Sequence, residues 1–346
     1  MSITALALFS GGLDSILACR VVMAQGIRVV ALRFITPFFE ADVVEPARYT
    51  LNMREKYGIE VEVVDTGHDY ISMLKAPRHG FGRHFNPCID CKIFMLRKAR
   101  ALMPKYGARF LITGEVIGQR PMSQRRDTLR IIERESGCEG ILLRPLCAQL
   151  MPPAEAEAQG LVDRERLCRI SGRGRGEQQA LAAQFNIVDY PAPAGGCLLA
   201  DVNLAARFRH FSPGIFAVPG GENLVDDFRL LLIGRHFEPL PGLWFILGRD
   251  QKDNERLMAL RQPGDWLLQM VDRPGPAGLL RRGASAISAL ADQGPLEATL
   301  AGLLLRYAKK VRGRAASGVV RIEGDKGARE ARFQPLAEEQ VRELMV

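Results

Sequence analysis

Apolar positions at the amino-terminal end of the chain follow first the pattern of a buried strand and then that of a helix. Residues 3–9 form an apolar run that ends at a Gly pair, and an apolar segment with helical spacing covers 13–24 and stops at Gly26. A second apolar run occupies 28–35. The pattern predicts a strand, a loop, a helix and a second strand in succession.

The same alternation continues as far as Thr113. The predicted elements are a helix over 46–57, a strand over 60–64, a basic helix over 92–106 and a strand over 109–113. Alternation of this kind predicts an α/β fold with a doubly wound parallel sheet, covered by helices on both faces. Ligands of such sheets lie at the carboxyl ends of the strands. We therefore expect one site where three loops converge, at 10–15, 34–39 and 113–123.

The later part of the chain has a different pattern, with short apolar runs between Gly and Pro residues. The stretch 211–221 is rich in both residue types and is interpreted as a linker. Strand-like runs at 230–233 and 244–247 predict a second, smaller α+β domain, and 336–346 is expected to form a terminal helix. We therefore predict a first domain over 1–205, and a linker with a smaller domain over 206–346.

The composition indicates which class of protein this is and which kind of partner suits it. Hydrophobic residues make up 47% of the sequence and charged residues 25%, a globular balance that excludes a disordered or fibrous chain. Lys and Arg outnumber Asp and Glu by 47 to 39, which suits a polyanionic partner, although a soluble surface with an Arg bias is the alternative. The first residues do not resemble a signal peptide, and no apolar run reaches the length of a membrane span. We expect a cytoplasmic protein without membrane contact.

A glycine loop directly follows the first predicted strand and opens the first predicted helix. It consists of Ser10, Gly11, Gly12, Leu13, Asp14 and Ser15. Its glycines let the backbone approach a ligand, and its N–H groups at the positive end of the helix can bind a phosphate. Ser10 and Ser15 can donate hydroxyl hydrogen bonds, and Asp14 can hold Mg²⁺ against the phosphates. The alternative is an ordinary turn that a Ser or Asp side chain caps.

Three of the seven cysteines stand in motifs, and their distribution is unlike that of a disulfide framework. Cys88 and Cys91 lie one turn apart at the start of a predicted helix. There the helix dipole, Lys92 and Arg97 are expected to lower the thiol pKa values. Cys197 lies in a glycine loop at 193–199. Ordinary buried thiols or a redox pair are the alternatives to ligand and catalytic roles.

The phosphate loop resembles the signature of the PP-loop ATP pyrophosphatase superfamily, and it lacks the Gly-Lys-Ser/Thr ending of a Walker A loop. With the CxxC and the later Gly-Gly-Cys, most of 1–205 resembles tRNA thiolation enzymes. The segment 113–119 with Ser123 and Gln124 is most similar to the tRNA 4-thiouridine synthase family. This resemblance implies a HUP-like fold, ATP and Mg²⁺ as cofactors, and tRNA as substrate. It also implies that a uracil oxygen is adenylated and replaced by sulfur, with 4-thiouridine favoured over 2-thiouridine.

Two sulfur mechanisms suit three motif thiols. In the favoured one, Cys88, Cys91 and Cys197 bind three irons of a [4Fe–4S] cluster, and the fourth iron carries hydrosulfide to the activated uracil. In the other, one cysteine carries a persulfide and another resolves it as a disulfide. Catalytic roles are thus expected for Asp14 and the three thiols. The expected partners are tRNA and a sulfur donor, either sulfide or a persulfide carrier, with a homodimer as a possible assembly.

Further residues are assigned to the nucleotide and to the uridine. By resemblance to the superfamily, Phe34 lies over the adenine, with core packing as the alternative. Thr113 and Gly114, at the end of a predicted strand, are expected to border the nucleotide. Gln119 and Gln124 are expected to reach the substrate uridine, or else to cap a turn.

Arginines on two segments are assigned to RNA. Arg173 and Arg175 lie in a glycine-arginine loop that can meet phosphates, with a solvated loop as the alternative. Arg249 lies in the segment 247–255, which together with 263–266 and 272–276 resembles the RNA-binding NFACT-R module. The resemblance implies an RNA-binding role for the second domain.

Two other functions fit parts of these motifs. A PP-loop amide synthetase or lysidine-type synthetase would use nitrogen as its nucleophile and would need no set of three thiols. A non-catalytic RNA- or ribosome-binding protein would depend on the second domain, with a vestigial nucleotide site in the first. Thiouridine formation separates the first alternative from a sulfurtransferase, and pyrophosphate release separates the second.

Overall fold

The computed structural model describes residues 3–39, 43, 45–82, 84–120, 123–192, 197–221, 224–288, 290–325 and 327–346. Residues 193–196 of the predicted glycine loop before Cys197 therefore lie outside the described part. The chain divides into two compact units, Met1–Asp201 and Val202–Val346.

The first unit alternates strands and helices in the predicted order. Its strands are β1 (Thr4–Leu8), β2 (Arg28–Ile35), β3 (Glu60–Asp65), β4 (Phe110–Thr113) and β5 (Leu142–Leu143). Its α-helices are α1 (Leu13–Met23), α2 (Pro46–Tyr57), α3 (Gly67–Lys75), α4 (Cys88–Tyr106), α5 (Arg126–Ser136), α6 (Glu155–Ala158) and α7 (Gly176–Gln184). The helix predicted from residue 92 starts at Cys88, so the CxxC occupies its first turn.

The strands of the first unit form a parallel sheet in the order β3-β2-β1-β4-β5 among the described residues. Side chains alternate between its two faces, because successive residues of a strand point in opposite directions. Ala5 and Ala7 of β1 belong to one buried cluster, with α1 and α7, whereas Leu6 and Leu8 belong to another, with α4 and α5. Helices thus cover both faces, and the predicted fold class is confirmed.

The second unit is built on an antiparallel sheet with helices packed against it. Its helices are α8 (Val202–Phe216), α9 (Leu224–Leu230), α10 (Gln251–Ala259), α11 (Gly283–Ile287), α12 (Gly294–Tyr307) and α13 (Glu338–Leu344). Its strands are β6 (Arg235–Phe237), β7 (Trp244–Leu247), β8 (Trp266–Met270), β9 (Gly278–Arg281), β10 (Gly318–Gly324) and β11 (Gly327–Phe333). The sheet order is β11-β10-β8-β9-β7-β6, and Leu300 and Leu304 of α12 lie in the core beneath it.

Two expectations for this unit are wrong. The stretch interpreted as a linker is helical as far as Phe216, with Pro213 inside α8. Phe208 and Phe211 of this helix are buried, and the Phe211 ring stacks on Trp244 with centroids 5.0 Å apart. This burial outweighs the cost of a proline inside a helix, about 3 kcal/mol. The run at 230–233, predicted as a strand, is the end of α9 and the turn after it.

Candidate functional site

The first unit has its ligand-binding geometry at the carboxyl ends of β1 and β4. The strand order reverses between these two strands, which is where open parallel sheets form a crevice. The loops that follow them touch: a Cβ atom on Gly114 would lie 2.6 Å from the backbone carbon and oxygen of Asp14. Only glycine allows this approach without a shift of the backbone. The structure thus places Gly114 against the phosphate loop, and its contact with a nucleotide stays a prediction.

The phosphate loop is held by its own hydroxyl groups. Gly11 has a φ of 77°, in the left-handed region that favours glycine. Ser15 Oγ donates to the carbonyl oxygen of Gly12 at 2.8 Å and lies 3.3 Å from Ser10 Oγ. Arg33 at the end of β2 donates to the carbonyl oxygen of Ser10 at 2.7 Å. Gly12 is the N-cap of α1 and offers no capping side chain, so this helix end can bind an anion.

Asp14 is the point at which three distant segments meet. Gln119 Nε2 donates to Asp14 Oδ2 at 3.1 Å, and Arg175 Nη2 lies 3.5 Å from Asp14 Oδ1. Oδ1 is buried and accepts no hydrogen bond from the residues that the structure describes. A carboxylate is the kind of ligand that Mg²⁺ prefers, and in this structure Oδ1 of Asp14 is enclosed and lies next to Arg175.

The glycine-arginine loop reaches Asp14 because it runs beside the segment after β4. Gly172 N donates to the carbonyl oxygen of Ile117 at 2.8 Å. This pairing brings Arg175 to Asp14, where it is partly buried, whereas Arg173 is exposed. The two arginines, assigned together from the sequence, therefore have different environments.

Sequence reasoning missed Glu115, a buried carboxylate next to the phosphate loop. Its Oε2 accepts from Arg144 Nε at 3.0 Å and from Thr113 Oγ1 at 3.2 Å, and its Oε1 lies 3.6 Å from Lys92 Nζ. Burial alone would raise the pKa of Glu115, but the cations Lys92 and Arg144 hold that pKa below its usual value. An acidic residue directly after an apolar strand was the available signal. Glu115 keeps Lys92 at the wall of the site.

The three motif thiols lie near one another and near Tyr70. Cys88 and Cys91 are in the first turn of α4, and Asn86 Nδ2 donates to Cys88 Sγ at 3.3 Å. The buried Tyr70 hydroxyl donates to Cys91 Sγ at 3.4 Å. Burial and the electrostatic influence of the thiols, Cys197 included, raise the pKa of Tyr70 well above its usual value. Cys197 thus lies close to the CxxC despite its distance along the chain.

The expected lowering of the thiol pKa values is wrong. Burial raises the pKa of Cys88 and of Cys91, and it raises that of Cys197 to about 11. Lys92 acts in the expected direction on Cys88 and Cys91 but is outweighed by the loss of water around the sulfur. Arg97 instead donates to the carbonyl oxygen of Glu135 at 2.7 Å.

One cavity of about 320 Å³ joins the phosphate loop to the thiols. Its wall includes these predicted residues: Ser10, Asp14, Ser15, Phe34, Cys88, Cys91, Thr113, Gly114, Gln119, Gln124 and Cys197. Phe34 is also part of the core, so both of its expected roles are compatible with its position. Gln124 is buried, and its Oε1 accepts no hydrogen bond from the described residues. Gln124 is thus a wall residue of the cavity with a buried amide oxygen whose bonding capacity the described residues do not use.

Arg249 belongs to the second unit, and it is paired. Its Nε donates to Asp253 Oδ2 at 2.7 Å, and Asp253 also accepts from the backbone N–H of Gly234. Asp250 caps α10 by accepting from the N–H of Asp253. The motif at 247–255 is thus a strand-to-helix connection held by two carboxylates, and RNA contact by Arg249 stays a prediction.

Among the described residues, no group of three or more His, Cys, Asp or Glu side chains is arranged to hold a single metal ion. None of the described helices is long and apolar enough to cross a membrane.

Fold and site together define an α/β protein with a phosphate loop and a thiol-lined cavity. Residues 1–150 match the family model described as "Thiamine biosynthesis protein (ThiI)", and 234–345 match "NFACT protein RNA binding domain". A "Probable tRNA sulfurtransferase" of Thermococcus kodakarensis is 28% identical over 143 residues, which are 40% of this chain and 36% of that protein. The chain thus spans about a third of that relative's length. These matches confirm the resemblance to thiouridine synthases in the first range and to NFACT-R in the second.

Solved structures overlap with parts of the chain. One is titled as a 4-thiouridine synthetase in complex with RNA and bound ATP. It is 19% identical and covers 53% of this chain and 51% of its own, with a TM-score of 0.33. Another is the C-terminal part of the fibronectin/fibrinogen-binding protein from Streptococcus suis. It is 12% identical and covers 49% of this chain and 77% of its own, with a TM-score of 0.28.

Proposed function

We propose that the chain is an ATP-dependent tRNA sulfurtransferase that adenylates a uracil oxygen and replaces it with sulfur, with 4-thiouridine as the favoured product. The observation that carries this proposal is the shared cavity, whose wall contains Ser10, Asp14 and Ser15 as well as the three motif thiols. An adenylated carbonyl formed at one end would lie within reach of sulfur delivered at the other. The family match over 1–150 and the Thermococcus relative support the same activity.

The residues of the phosphate loop would hold ATP and Mg²⁺. The open amino end of α1 would hold the phosphates, and Asp14 Oδ1 would bind Mg²⁺. Gln119 and Arg175 fix the Asp14 carboxylate from two sides. The uracil oxygen would attack the α-phosphate, because AMP is a far better leaving group than oxide.

The target uridine would be recognised in the cavity between the loop and the thiols. Gln124 Oε1 can accept a hydrogen bond from the N3–H of a uracil, which would satisfy an oxygen that is otherwise without a donor among the described residues. Arg173 is exposed on the same unit and is assigned to RNA phosphates. The NFACT-R match over 234–345 supports an RNA-binding role for 206–346, and Arg249 is assigned to RNA within it.

Cys88, Cys91 and Cys197 would hold the [4Fe–4S] cluster, which supplies an iron that can carry hydrosulfide. Their raised pKa values leave them protonated at neutral pH in the metal-free protein, so they need a metal to become thiolates. A persulfide mechanism requires a nucleophilic thiolate without that help, and burial disfavours it. Tyr70 and Asn86 donate to the sulfur atoms and would orient them.

The decisive experiment is anaerobic purification with iron and sulfide analysis, followed by reaction with ATP, Mg²⁺, sulfide and tRNA. We expect bound iron, pyrophosphate release and thiouridine among the nucleosides on mass spectrometry. Cys197→Ser should abolish thiouridine while pyrophosphate release continues, because adenylation does not use the thiol.

Cys168→Ser is the matched control, since Cys168 is a partly buried thiol of the same unit that does not line the cavity. Thiouridine made by Cys197→Ser would refute the role of this thiol in sulfur transfer. Pyrophosphate release without thiouridine in the reconstituted wild-type chain would favour an amide or lysidine-type synthetase, and absence of both would favour a non-catalytic RNA-binding protein. An active protein without iron would refute the cluster and leave adenylation intact.

A further inference from the structure

We propose that the short hairpin 309–314, between α12 and β10, is a preformed contact for RNA backbone phosphates. This inference rests on the proposed RNA-binding role of the second unit and names the surface that performs it. The hairpin is distinct from the segment that contains Arg249.

The hairpin concentrates positive charge. Four of its six residues are cations: Lys309, Lys310, Arg312 and Arg314. All four are exposed, and none forms an ion pair with a residue in the part of the chain that the structure describes. No acidic residue interrupts the segment from Tyr307 to Arg321.

Other arginines of the second unit differ from those of the hairpin because they are paired with acidic side chains. Most of them contact a carboxylate, as do Arg249, Arg261, Arg281, Arg306, Arg329 and Arg342. Each of those ion pairs neutralises its arginine locally and leaves little positive potential to attract a polyanion. The cations of the hairpin, without such partners among the described residues, therefore provide a concentrated positive potential on this unit.

The backbone of the hairpin is fixed. Val311 and Arg314 exchange two hydrogen bonds, at 2.9 and 3.0 Å, around a two-residue turn. Both turn residues are left-handed, with φ of 50° at Arg312 and 79° at Gly313. A side chain in this region costs roughly 1 kcal/mol relative to glycine. An arginine at a position that favours glycine points to a use for its side chain.

The base of the hairpin is also anchored. Lys309 N donates to the carbonyl oxygen of Pro274 at 2.9 Å. The guanidinium of Arg273 donates to the carbonyl oxygens of Ala316 and Ser317 at 2.5 and 2.9 Å. Asp272 Oδ2 accepts from Val319 N at 3.1 Å, so its charge is directed at the backbone. Little ordering is needed before the cations meet phosphates, which favours binding.

Exposed Lys and Arg side chains on a fixed turn suit backbone phosphates, which accept charge-assisted hydrogen bonds and account for most of the electrostatic part of RNA affinity. Each phosphate neutralised releases counterions, so the contact has a measurable salt signature. A plot of the logarithm of the association constant against the logarithm of the salt concentration has a negative slope. The magnitude of this slope decreases by about 0.7–0.9 for each phosphate that the protein no longer neutralises.

The test uses the full chain and labelled tRNA at several salt concentrations. The combined variant carries four substitutions: Lys309→Gln, Lys310→Gln, Arg312→Gly and Arg314→Gln. We expect its association constant for tRNA to be at least about tenfold lower near 0.1 M salt, and the magnitude of its salt slope to be lower by about two to four. An unrelated RNA hairpin should lose affinity by a similar factor, since phosphate contacts carry no sequence information.

The single variant Arg312→Gly tests the role of this side chain more specifically than the combined variant does. It removes one cation and relieves the left-handed strain, so thermal stability should not fall while the salt slope drops by about one. Arg209→Gln is the matched control for this single variant, because Arg209 is an exposed arginine on α8 that lies outside the NFACT-R match. It should change the affinity and the salt slope less than Arg312→Gly does.

Unchanged affinity and slope in the combined variant would overturn the inference, as would a wild-type chain that does not bind tRNA. A loss in Arg312→Gly no larger than that in Arg209→Gln would also refute it, because net charge alone would then explain the effect. Failure of this inference can be told apart from failure of the proposed function. If the combined variant binds tRNA normally and the chain forms thiouridine, the hairpin has no role but the sulfurtransferase activity is supported. If the hairpin substitutions weaken RNA binding but no thiouridine forms, the hairpin contact is supported and the sulfurtransferase activity is not.

Discussion

Both units bury charged side chains, but they satisfy them in different ways. In the second unit Arg281 donates to Asp227 and to Asp265 at 2.7 Å, and all are buried. Arg282 donates to Asp227 through its side chain and to Asp265 through its backbone, so every oxygen of the two carboxylates accepts a hydrogen bond. None of these residues lines the cavity of the first unit.

In the first unit, buried polar residues line a cavity. Glu115 is paired with Arg144 and with Lys92, which also lines the cavity, and Gln124 is a wall residue whose buried Oε1 lacks a donor among the described residues. The network of the second unit is closed at its carboxylates, and only Arg281 Nη2 within it is buried without an acceptor among the described residues. Since each unit has such a group, the comparison teaches that an incomplete set of partners marks a candidate site only where the residues also line a cavity.

The largest expected effect comes from opening the closed network. Arg281→Met would leave two buried aspartates with less compensation, and burial already raises the pKa of Asp227 against the pull of Arg281 and Arg282. We expect the free energy of unfolding to fall by about 3–5 kcal/mol, as measured by chemical denaturation. Arg342→Met changes an exposed arginine of the same unit and should have no measurable effect. A loss under about 1 kcal/mol for Arg281→Met would show that the network contributes little to the fold.

A smaller effect is expected where the backbone itself forms the site. Gly114→Ala would place a Cβ 2.6 Å from the Asp14 backbone, which must shift. We expect a loss of about 1–3 kcal/mol in unfolding free energy, together with weaker ATP binding by calorimetry. Gly176→Ala, at the start of α7 with open space around its Cα, is the control. Normal ATP affinity in Gly114→Ala would argue against nucleotide binding at this turn.

The smallest effect on stability is expected at Gln124. Gln124→Met removes a buried oxygen that has no donor among the described residues, so the unfolding free energy should change by less than about 1 kcal/mol. Thiouridine formation should nevertheless fall, with a larger rise in KM for tRNA than fall in kcat. A large loss of stability would mean that Gln124 serves the fold, and unchanged kinetics would remove it from uridine recognition.

Elements whose signals are local could be predicted from the sequence. The helix predicted over 46–57 has these bounds in the structure, and its C-cap Gly58 is left-handed at a φ of 68°. The phosphate loop likewise follows from a Gly pair between an apolar strand and a helix. Both depend on residues that are neighbours along the chain, so their physical cause is contained in the local sequence.

Sequence-based predictions missed, or gave the opposite of, features that depend on residues far apart along the chain. Breaker residues suggested a linker at 211–221, but aromatic burial keeps 202–216 helical. Positive neighbours suggested low thiol pKa values, but burial raises them. Glu115 lies within the motif at 113–119, yet its importance depends on Arg144 and Lys92, which come from other elements.

By itself, the sequence determined the alternation of strands and helices, the phosphate loop, and the thiols that could act together. Only the tertiary structure decided that Cys197 lies beside the CxxC, that Arg175 reaches Asp14 while Arg173 is exposed, and that Gln124 is a wall residue whose buried Oε1 lacks a donor among the described residues. The reason is that hydrogen-bond geometry and helix or strand period act over a few residues. Desolvation and charge pairing, in contrast, depend on which distant segments the fold brings together.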